Sequence, residues 1–158
     1  MARWSDILRS PHYRWKAYCS LEAEIYMNTQ PLLDQVKFDS NGLVTAIAQD
    51  YESKEILMVA YMNEATLRQT LETGTMTYWS RSRQKVWVKG EQSGNTQEVK
   101  EVYVDCDGDA LVFKVVQKGG AACHTGHFSC FYRRFEEDRL VEVGEPVFDP
   151  SRIYGKKQ

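Results

Sequence analysis

Three of the four cysteines and two of the three histidines lie between residues 105 and 130 of the chain. The same stretch opens with three alternating aspartates, Asp105, Asp107 and Asp109. Soft sulfur and imidazole ligands favour zinc, whereas carboxylate oxygens favour magnesium or calcium. Side chains of both kinds, so close in sequence, predict a catalytic metal site that the rest of the chain serves.

The spacing of Cys106, Cys123 and Cys130 lacks the paired C-x2-C motifs of a structural zinc ribbon. Three protein ligands would leave a fourth position for water, as a catalytic zinc requires. Such an ion lowers the pKa of its bound water toward about 7. The alternative is that the thiols are small buried apolar side chains. Spacing alone leaves both interpretations open.

His124 follows Cys123 directly, so it would lie close to a metal held there. It could be a fourth ligand, or a general base that moves protons to and from the metal-bound water. His127, three residues further on, is a second candidate base. A structural histidine without a catalytic role is the alternative for either residue.

The three aspartates would share one face of an extended stretch, with Cys106 on the other face. Crowded carboxylates repel one another unless a cation or protons intervene. The spacing begins like an EF-hand loop, but Ala110 and Val116 stand where that loop needs glycine and glutamate. A magnesium site and a solvated acidic turn around Gly108 remain the two interpretations.

A second candidate site precedes the cysteines in sequence and mixes basic, aromatic, hydroxyl and glycine residues. Arg81 and Arg83 would share a strand face and could bind phosphate through paired hydrogen bonds, with Lys89 as a further cation. Backbone N–H groups at the nearby glycines could add an anion-binding nest. Trp79 or Trp87 could stack on a nucleotide base. A solvated basic strand face is the alternative.

The elements that position these residues are predicted to be mostly strands. Alternating and apolar runs predict strands over 36–38, 43–49, 55–61, 75–80, 98–104, 110–117 and 130–135. Asn41-Gly42 favours a hairpin turn between the first two strands, because both residues tolerate positive φ. These elements, with the one helix described next, predict a β-rich α+β domain.

One helix is predicted from Glu64 to Thr73. Asn63 can cap its N-terminus, Met62 and Leu67 are spaced as a hydrophobic staple, and Gly74 can end it. A further helix is predicted near residues 14–27, within an N-terminal extension over 1–31. The core domain is predicted over 32–143, and a C-terminal tail, with a short strand before it, over 144–158.

The length of 158 residues suits one domain, and the net charge of −2 gives no basic field, so no nucleic-acid partner is expected. No apolar run approaches the roughly 18 residues of a membrane span. The N-terminus lacks the apolar core of a secretory signal. We therefore expect a reducing, cytoplasmic compartment, although a basic transit peptide is the alternative. Cys19, away from the cluster, is expected to be a free or packed thiol.

Several stretches together resemble the phosphoribosyl-AMP cyclohydrolases of histidine biosynthesis. The matching stretches are Leu57-Met58-Val59-Ala60-Tyr61-Met62-Asn63, Tyr78-Trp79-Ser80-Arg81-Ser82-Arg83, Trp87 through Lys89-Gly90-Glu91 to Ser93-Gly94-Asn95, Asp105-Cys106-Asp107-Gly108-Asp109, and Ala122-Cys123-His124-Thr125-Gly126 followed by Ser129-Cys130-Phe131-Tyr132. The resemblance covers residues 32–135 in order and without a large gap. Several motifs that match together are far more specific than any one of them.

The resemblance implies a β-rich pseudo-barrel capped by a helix, and a homodimer with zinc at the subunit interface. One subunit would supply Cys106 and the other Cys123 and Cys130. Magnesium is implied at the three aspartates, near the substrate phosphates. Because the chain ends soon after Cys130, we expect a monofunctional enzyme without a fused pyrophosphohydrolase domain.

The activity that the resemblance implies is hydrolytic opening of the N1–C6 bond in the adenine ring of 1-(5-phosphoribosyl)-AMP by zinc-activated water. The product would be the formimino-aminoimidazole carboxamide ribonucleotide, with His124 as the base. The residues expected to bind this nucleotide are Arg81, Arg83, Trp87, Lys89, Ser93 and Gly94. Two rival functions are a zinc deaminase, whose H-x-E and P-C-x-x-C motifs are missing from the sequence, and a noncatalytic zinc-stabilised interaction domain.

Overall fold

The structure is a computed structural model that describes residues 28–154. The helix predicted near residues 14–27 and Cys19 therefore lie outside the described residues. The elements are α1 Gln30–Leu33, β1 Val44–Asp50, β2 Ile56–Met62, α2 Glu64–Thr73, β3 Thr77–Ser80, β4 Lys85–Val88, β5 Gln97–Val104, β6 Ala110–Gln117, β7 Arg133–Glu136, β8 Arg139–Glu142 and α3 Ser151–Tyr154. Within this part of the chain, no helix is long and apolar enough to cross a membrane.

Strands β1 to β6 form one sheet in the order β4-β3-β2-β1-β6-β5, which curls into a half-barrel. All neighbours are antiparallel except β1 and β6, which run parallel. The ladder shifts register between Ala48 and Gln49 on β1 and between Val99 and Glu101 on β5. Such irregularities increase local twist and bend the strands. The prediction of a β-rich α+β fold is confirmed.

Helix α2 packs on β2 and β3 and buries Leu67 and Leu71 against the sheet. Burying one such leucine contributes roughly 1.5–3 kcal/mol to folding. The helix is also tied to the sheet by a hydrogen bond, because the Thr77 N–H donates to the buried Thr70 hydroxyl at 2.9 Å. The core that this packing encloses includes Ala46, Leu57, Met62, Met76, Tyr78, Leu111, Phe113 and Val115, all fully or almost fully buried.

The predicted helix is confirmed at both ends. The Thr66 N–H donates to Asn63 Oδ1 at 2.9 Å, and the Asn63 N–H donates to Thr66 Oγ1 at 3.0 Å, so the two residues cap the N-terminus reciprocally. Gly74 ends the helix in the left-handed conformation, with φ 67°. These signals are local in sequence, which is why sequence alone located the helix.

The strand predicted over 36–38 is wrong, although the turn after it is present. The Asp39 carboxylate accepts hydrogen bonds from the N–H groups of Asn41 at 2.8 Å and Leu43 at 2.9 Å, and Gly42 takes a φ of 71°. The preceding segment does not join the sheet. Instead the Lys37 N–H donates to the Gly108 carbonyl at 2.7 Å. This segment therefore supports the loop that carries the aspartates.

The strand predicted over 130–135 begins only at Arg133, as β7. Before it, the Cys130 N–H donates to the Leu57 carbonyl at 2.7 Å, which attaches the cysteine-containing segment to β2. Strands β7 and β8 form a separate hairpin. Its two turn residues, Glu137 and Asp138, take φ of 49° and 61°, and this geometry matches the right-handed twist of paired strands. The short strand predicted near the C-terminus is β8.

Candidate active site

A cavity of about 350 Å³ brings together the two regions that the sequence presents as separate. The residues that line it include candidates for binding phosphate and a nucleotide base, and also members of the cysteine-rich stretch. They are Arg83, Trp87, Lys89, Ser93, His124 and Cys130. A volume of this size falls within the range of ligand sites in proteins. The basic and aromatic segment and the cysteine-rich segment thus form one site.

One wall of the cavity is β4 with the turn that follows it. Trp87 pairs with Tyr78 on β3, and the two ring centroids lie 5.5 Å apart. Gly90 has a φ of 85°, and a Cβ atom there would lie 2.6 Å from the backbone of Asn95. Only glycine fits this turn, whose closing hydrogen bond runs from the Gly94 N–H to the Gly90 carbonyl at 2.8 Å.

Lys89 lies deep in this wall and is only 4% exposed. Its Nζ donates to the Asn95 carbonyl at 3.1 Å. Burial lowers the pKa of Lys89, and negative charge on Cys130 and Cys123 opposes that shift. A buried ammonium group is costly unless an anion lies nearby. The lysine is therefore placed to balance negative charge on the sulfurs or on a bound substrate.

Cys123 and Cys130, which we call the cysteine pair, are neighbours in space. Cys123 is buried, and Cys130 is exposed toward the cavity. Although the residue is exposed toward the cavity, desolvation of its thiol by the surrounding protein raises the pKa of Cys130 to about 12, and the charge and hydrogen bond of Cys123 add to this shift. Two adjacent sulfurs suit a soft cation, which displaces the thiol protons and neutralises the thiolates. The donor set of the pair therefore fits zinc.

Cys106 is exposed on the aspartate loop, residues 105–109, and its Sγ lies 3.9 Å from Asp107 Oδ1. Within residues 28–154, one group of three or more cysteine, histidine or carboxylate side chains has its ligand atoms within 4.8 Å of one another, and that group is the three aspartates. The three cysteines therefore do not meet within one chain. The chain offers a pair of sulfurs, Cys123 and Cys130, and, separately, the single sulfur of Cys106.

The aspartate loop is a tight bend between β5 and β6, so the prediction of an extended stretch with all three aspartates on one face is wrong. Gly108 has a φ of 84°, and a Cβ atom there would lie 2.2 Å from the Gln35 carbonyl oxygen. Asp105 Oδ1 accepts hydrogen bonds from the N–H groups of Gly108 at 2.8 Å and Ala110 at 3.3 Å. The bend, rather than strand alternation, brings the carboxylates together.

The charges on the aspartate loop interact strongly. The negative charges of Asp107 and Asp105 raise the pKa of Asp109. Desolvation raises the pKa of Asp105, but backbone hydrogen bonds from Ala110 and Gly108 outweigh it and hold this pKa below its usual value. A divalent cation would relieve the repulsion that raises the pKa of Asp109. Three exposed carboxylates so arranged fit magnesium.

The predicted strand face shared by Arg81 and Arg83 is also wrong, because residues 81–84 form the turn between β3 and β4. Arg81 stacks over Tyr61, with 3.7 Å between the guanidinium and the ring centroid, and lies outside the lining of the cavity. Arg83 lines the cavity and lies 5.9 Å from the centroid of Trp87. The turn thus gives the two arginines different surroundings. Gly94, like Arg81, lies outside the lining.

The two candidate histidines have different environments. His124 is exposed and lines the cavity. His127 is 7% exposed, is stacked on Tyr132 with 3.7 Å between ring centroids, and contacts Thr125 rather than the cavity. Of the two, His124 is placed to exchange a proton with a molecule in the cavity.

Sequence reasoning missed β4 and three further lining residues, Met58, Gln92 and Ala122. Strand β4 contains three successive apolar residues, Val86 to Val88, that could have signalled it, but the run is short and follows a basic turn. Met58 belongs to an apolar strand whose periodicity does not say which side chains reach a cavity. No local signal identifies Gln92.

A family model described as phosphoribosyl-AMP cyclohydrolase matches residues 58–132, which include every residue named above as lining the cavity. The chain is 61% identical to the phosphoribosyl-AMP cyclohydrolase of Syntrophotalea carbinolica over 123 residues, or 77% of this chain and 98% of that protein. It is similar to the enzyme of the same name from Desulfatibacillum aliphaticivorans, with 59% identity over 74% of this chain and 94% of that protein. The corresponding values for Methanococcoides burtonii are 57%, 77% and 98%.

Proposed function

Because the chain belongs to the phosphoribosyl-AMP cyclohydrolase family and is a hydrolase, we propose that it opens the adenine ring of phosphoribosyl-AMP at the N1–C6 bond, as a step of histidine biosynthesis. The observation that carries this proposal is the joint cavity. This cavity is lined by a cysteine of the pair, an exposed histidine, two basic residues and a tryptophan. These are the groups that hydrolysis of a phosphorylated purine requires.

The chemistry follows from the substrate. A second phosphorylated ribose on N1 puts positive charge on the purine, so C6 becomes electrophilic. A water molecule adds to C6, as in the deaminases that attack adenine at the same atom. The bond that breaks here is C6–N1, so the six-membered ring opens. The exocyclic nitrogen is retained as a carboxamide, and no ammonia leaves.

His124 is the proposed general base. It lines the cavity and is exposed to it, so its imidazole can take the proton from the attacking water and return it to the departing N1. Histidine suits both transfers because its ordinary pKa lies near neutrality. The burial of His127 away from the cavity supports this choice between the two histidines.

Cys123 and Cys130 are the proposed zinc ligands from one subunit, with Cys106 of a second subunit as the third. When bound, zinc supplies Lewis acidity that lowers the pKa of a coordinated water toward neutrality. Two observations support the shared site. Cys123 and Cys130 are adjacent, and the pKa of Cys130 is raised, while Cys106 is exposed and lies apart from the pair in the described chain. A single subunit then lacks a complete ligand set, which favours a homodimer.

The substrate phosphates are proposed to bind Arg83, Lys89 and Ser93, all of which line the cavity. Trp87 presents an aromatic face on which the purine can stack. The aspartate loop is proposed to hold magnesium, which would neutralise phosphate charge. Arg81 and Gly94 lie outside the lining, and their predicted part in binding remains a prediction.

The direct test of this function is the mass of the product after incubation of the full chain with phosphoribosyl-AMP. We expect a product heavier than the substrate by one water, lost on zinc chelation and restored by zinc. Release of ammonia would instead identify a deaminase. An unchanged substrate with zinc-loaded protein would identify a noncatalytic zinc-binding domain and overturn the proposal.

A further inference from the structure

His127 is a buried polar residue to which the proposed reaction gives no role. It is 7% exposed, and its Nε2 has no hydrogen-bond partner among the described residues. Most buried polar atoms in proteins are paired, so an orphan of this kind needs an explanation. The other ring nitrogen provides one.

The Nδ1 atom of His127 lies 3.1 Å from Thr125 Oγ1, and the same oxygen lies 3.0 Å from the Sγ of Cys123. The three side chains therefore form a continuous chain that ends at a sulfur of the cysteine pair. The loop that carries them is closed by two backbone hydrogen bonds, from the Cys123 N–H to the His127 carbonyl and from the Gly126 N–H to the Cys123 carbonyl, both at 3.1 Å.

The ring of His127 is also fixed in orientation. It stacks on Tyr132 with an interplanar angle of 7°. Gly126, inside the loop, has a φ of 90°, and a Cβ atom there would lie 2.3 Å from the Phe148 carbonyl oxygen. The loop is therefore closely packed against the C-terminal segment, and the contact between Nδ1 and Thr125 is part of a packed structure.

The direction of the hydrogen bonds follows from the chemistry of the sulfur. A cysteine that ligates a metal is a thiolate, which accepts hydrogen bonds and donates none. The Thr125 hydroxyl must then donate to Cys123, and its oxygen is free to accept from the Nδ1–H of His127. This arrangement requires a proton on Nδ1 of His127. The orphaned Nε2 is then an unprotonated nitrogen rather than a buried N–H group without an acceptor.

We propose that His127 and Thr125 are positioning residues for Cys123: His127 orients the Thr125 hydroxyl, which donates to the thiolate and fixes the direction in which the sulfur meets the metal. The inference rests on the zinc ligation by Cys123 proposed above. Outer partners of this kind orient metal ligands and tune their donor strength. Loss of such a partner typically weakens metal binding by about 10–100-fold.

The variants that test this separate hydrogen bonding from packing. Thr125→Val keeps the shape of the side chain and removes the hydroxyl, whereas Thr125→Ser keeps the hydroxyl. His127→Phe keeps an aromatic ring against Tyr132 without a donor, whereas His127→Asn restores an N–H near the position of Nδ1. Thr75→Val, at a half-buried threonine outside the cavity and the cysteine-rich loop, is the matched control.

Three measurements are made on the full chain: zinc affinity by chelator competition, the sulfur-to-metal charge-transfer band of the cobalt-substituted protein, and the ¹⁵N shifts of His127 in the zinc-loaded wild type. We expect Thr125→Val and His127→Phe to weaken zinc binding by about 10–100-fold and to shift the band. Thr125→Ser, His127→Asn and Thr75→Val should stay close to wild type. The ¹⁵N shifts should place the proton of His127 on Nδ1.

A proton on Nε2 in the zinc-loaded protein would overturn the proposed hydrogen-bond chain from His127 through Thr125 to Cys123. Wild-type zinc affinity and an unshifted band in Thr125→Val would also overturn it. Thermal unfolding of each variant shows whether it is folded, and the wild-type ¹⁵N measurement decides the question if the variants are not. A different result would show that Cys123 is not a zinc ligand: the wild type would bind no zinc, or Cys123→Ala would bind it equally well. That result would reject both the zinc ligation by Cys123 and the hydrogen-bond chain that depends on it.

Discussion

The cysteine pair and the aspartate loop both gather metal-binding side chains, but the fold surrounds them differently. The pair lies on a closely packed loop attached to β2, with Cys123 buried and Cys130 facing a cavity. The aspartate loop lies at the tip of the β5–β6 hairpin, and all three of its carboxylates are exposed. One candidate site is built into the protein, and the other projects from it.

The two regions also differ in how readily their side chains lose protons. Burial raises the pKa of Cys130 to about 12, so protons compete with a metal there throughout the neutral range. Backbone hydrogen bonds hold the pKa of Asp105 below its usual value, so this carboxylate is ionised at neutral pH without help. A metal that binds Cys130 must therefore displace a proton, whereas one that binds Asp105 need not.

The largest expected effect comes from breaking the buried region. Cys123→Ala should lose zinc and activity together, by more than about 100-fold, because a direct ligand matters more than its outer partners. Zinc content and turnover are measured on the same preparation. Full activity in a zinc-depleted variant would reject the catalytic zinc.

His124→Ala should keep zinc and lose turnover by about 10²–10⁴-fold, the usual contribution of a positioned general base. The readouts are kcat and bound zinc, with His127→Phe as the comparison variant. That variant should instead weaken zinc binding. A kcat unchanged by the loss of His124 would remove it from the proton transfer.

A smaller effect is expected at the exposed region. Asp107→Asn should raise the magnesium concentration for half-maximal activity by about tenfold, because ligand charge sets the affinity of such sites. It should leave zinc content unchanged. The same substitution should lower the pKa of Asp109, since Asp107 is the largest cause of its elevation. Unaltered magnesium dependence would show that the loop is a solvated acidic turn rather than a magnesium site.

The last comparison separates the two arginines of the turn between β3 and β4. Arg83→Ala should raise the KM for phosphoribosyl-AMP by about 10-fold or more, the loss expected for a charged hydrogen bond of 1.5–3 kcal/mol. Arg81→Ala should change KM less, because Arg81 stacks on Tyr61 outside the cavity lining. Equal changes for both variants would contradict the placement of Arg83 alone against the substrate.

Sequence alone predicted the features that depend on local signals. Helix α2 follows from its Asn63 cap and its Gly74 stop, and the ranges of β1, β2, β5 and β6 follow from their alternating or apolar runs. The candidate metal ligands were likewise found from their residue types and their closeness in the sequence. In each case the physical cause lies within a few residues of the feature.

Sequence could not predict the features that depend on distant contacts. The bend of the aspartate loop depends on how Gly108 packs against Gln35, and the turn at residues 81–84 ends a strand that the residue pattern would have continued. The joint cavity arises because the segment before Cys130 attaches to β2 at Leu57. None of these contacts has a signature in the local pattern of residues.

We propose that one subunit carries an incomplete zinc site, and mixed dimers provide the sharpest test of this proposal. Cys106→Ala and Cys123→Ala should each be inactive alone. After unfolding and refolding together, heterodimers would contain one intact site, and roughly a quarter of wild-type activity should return if subunits pair at random. Zinc should return in the same proportion. Verified heterodimers without activity or zinc would contradict a site shared between subunits.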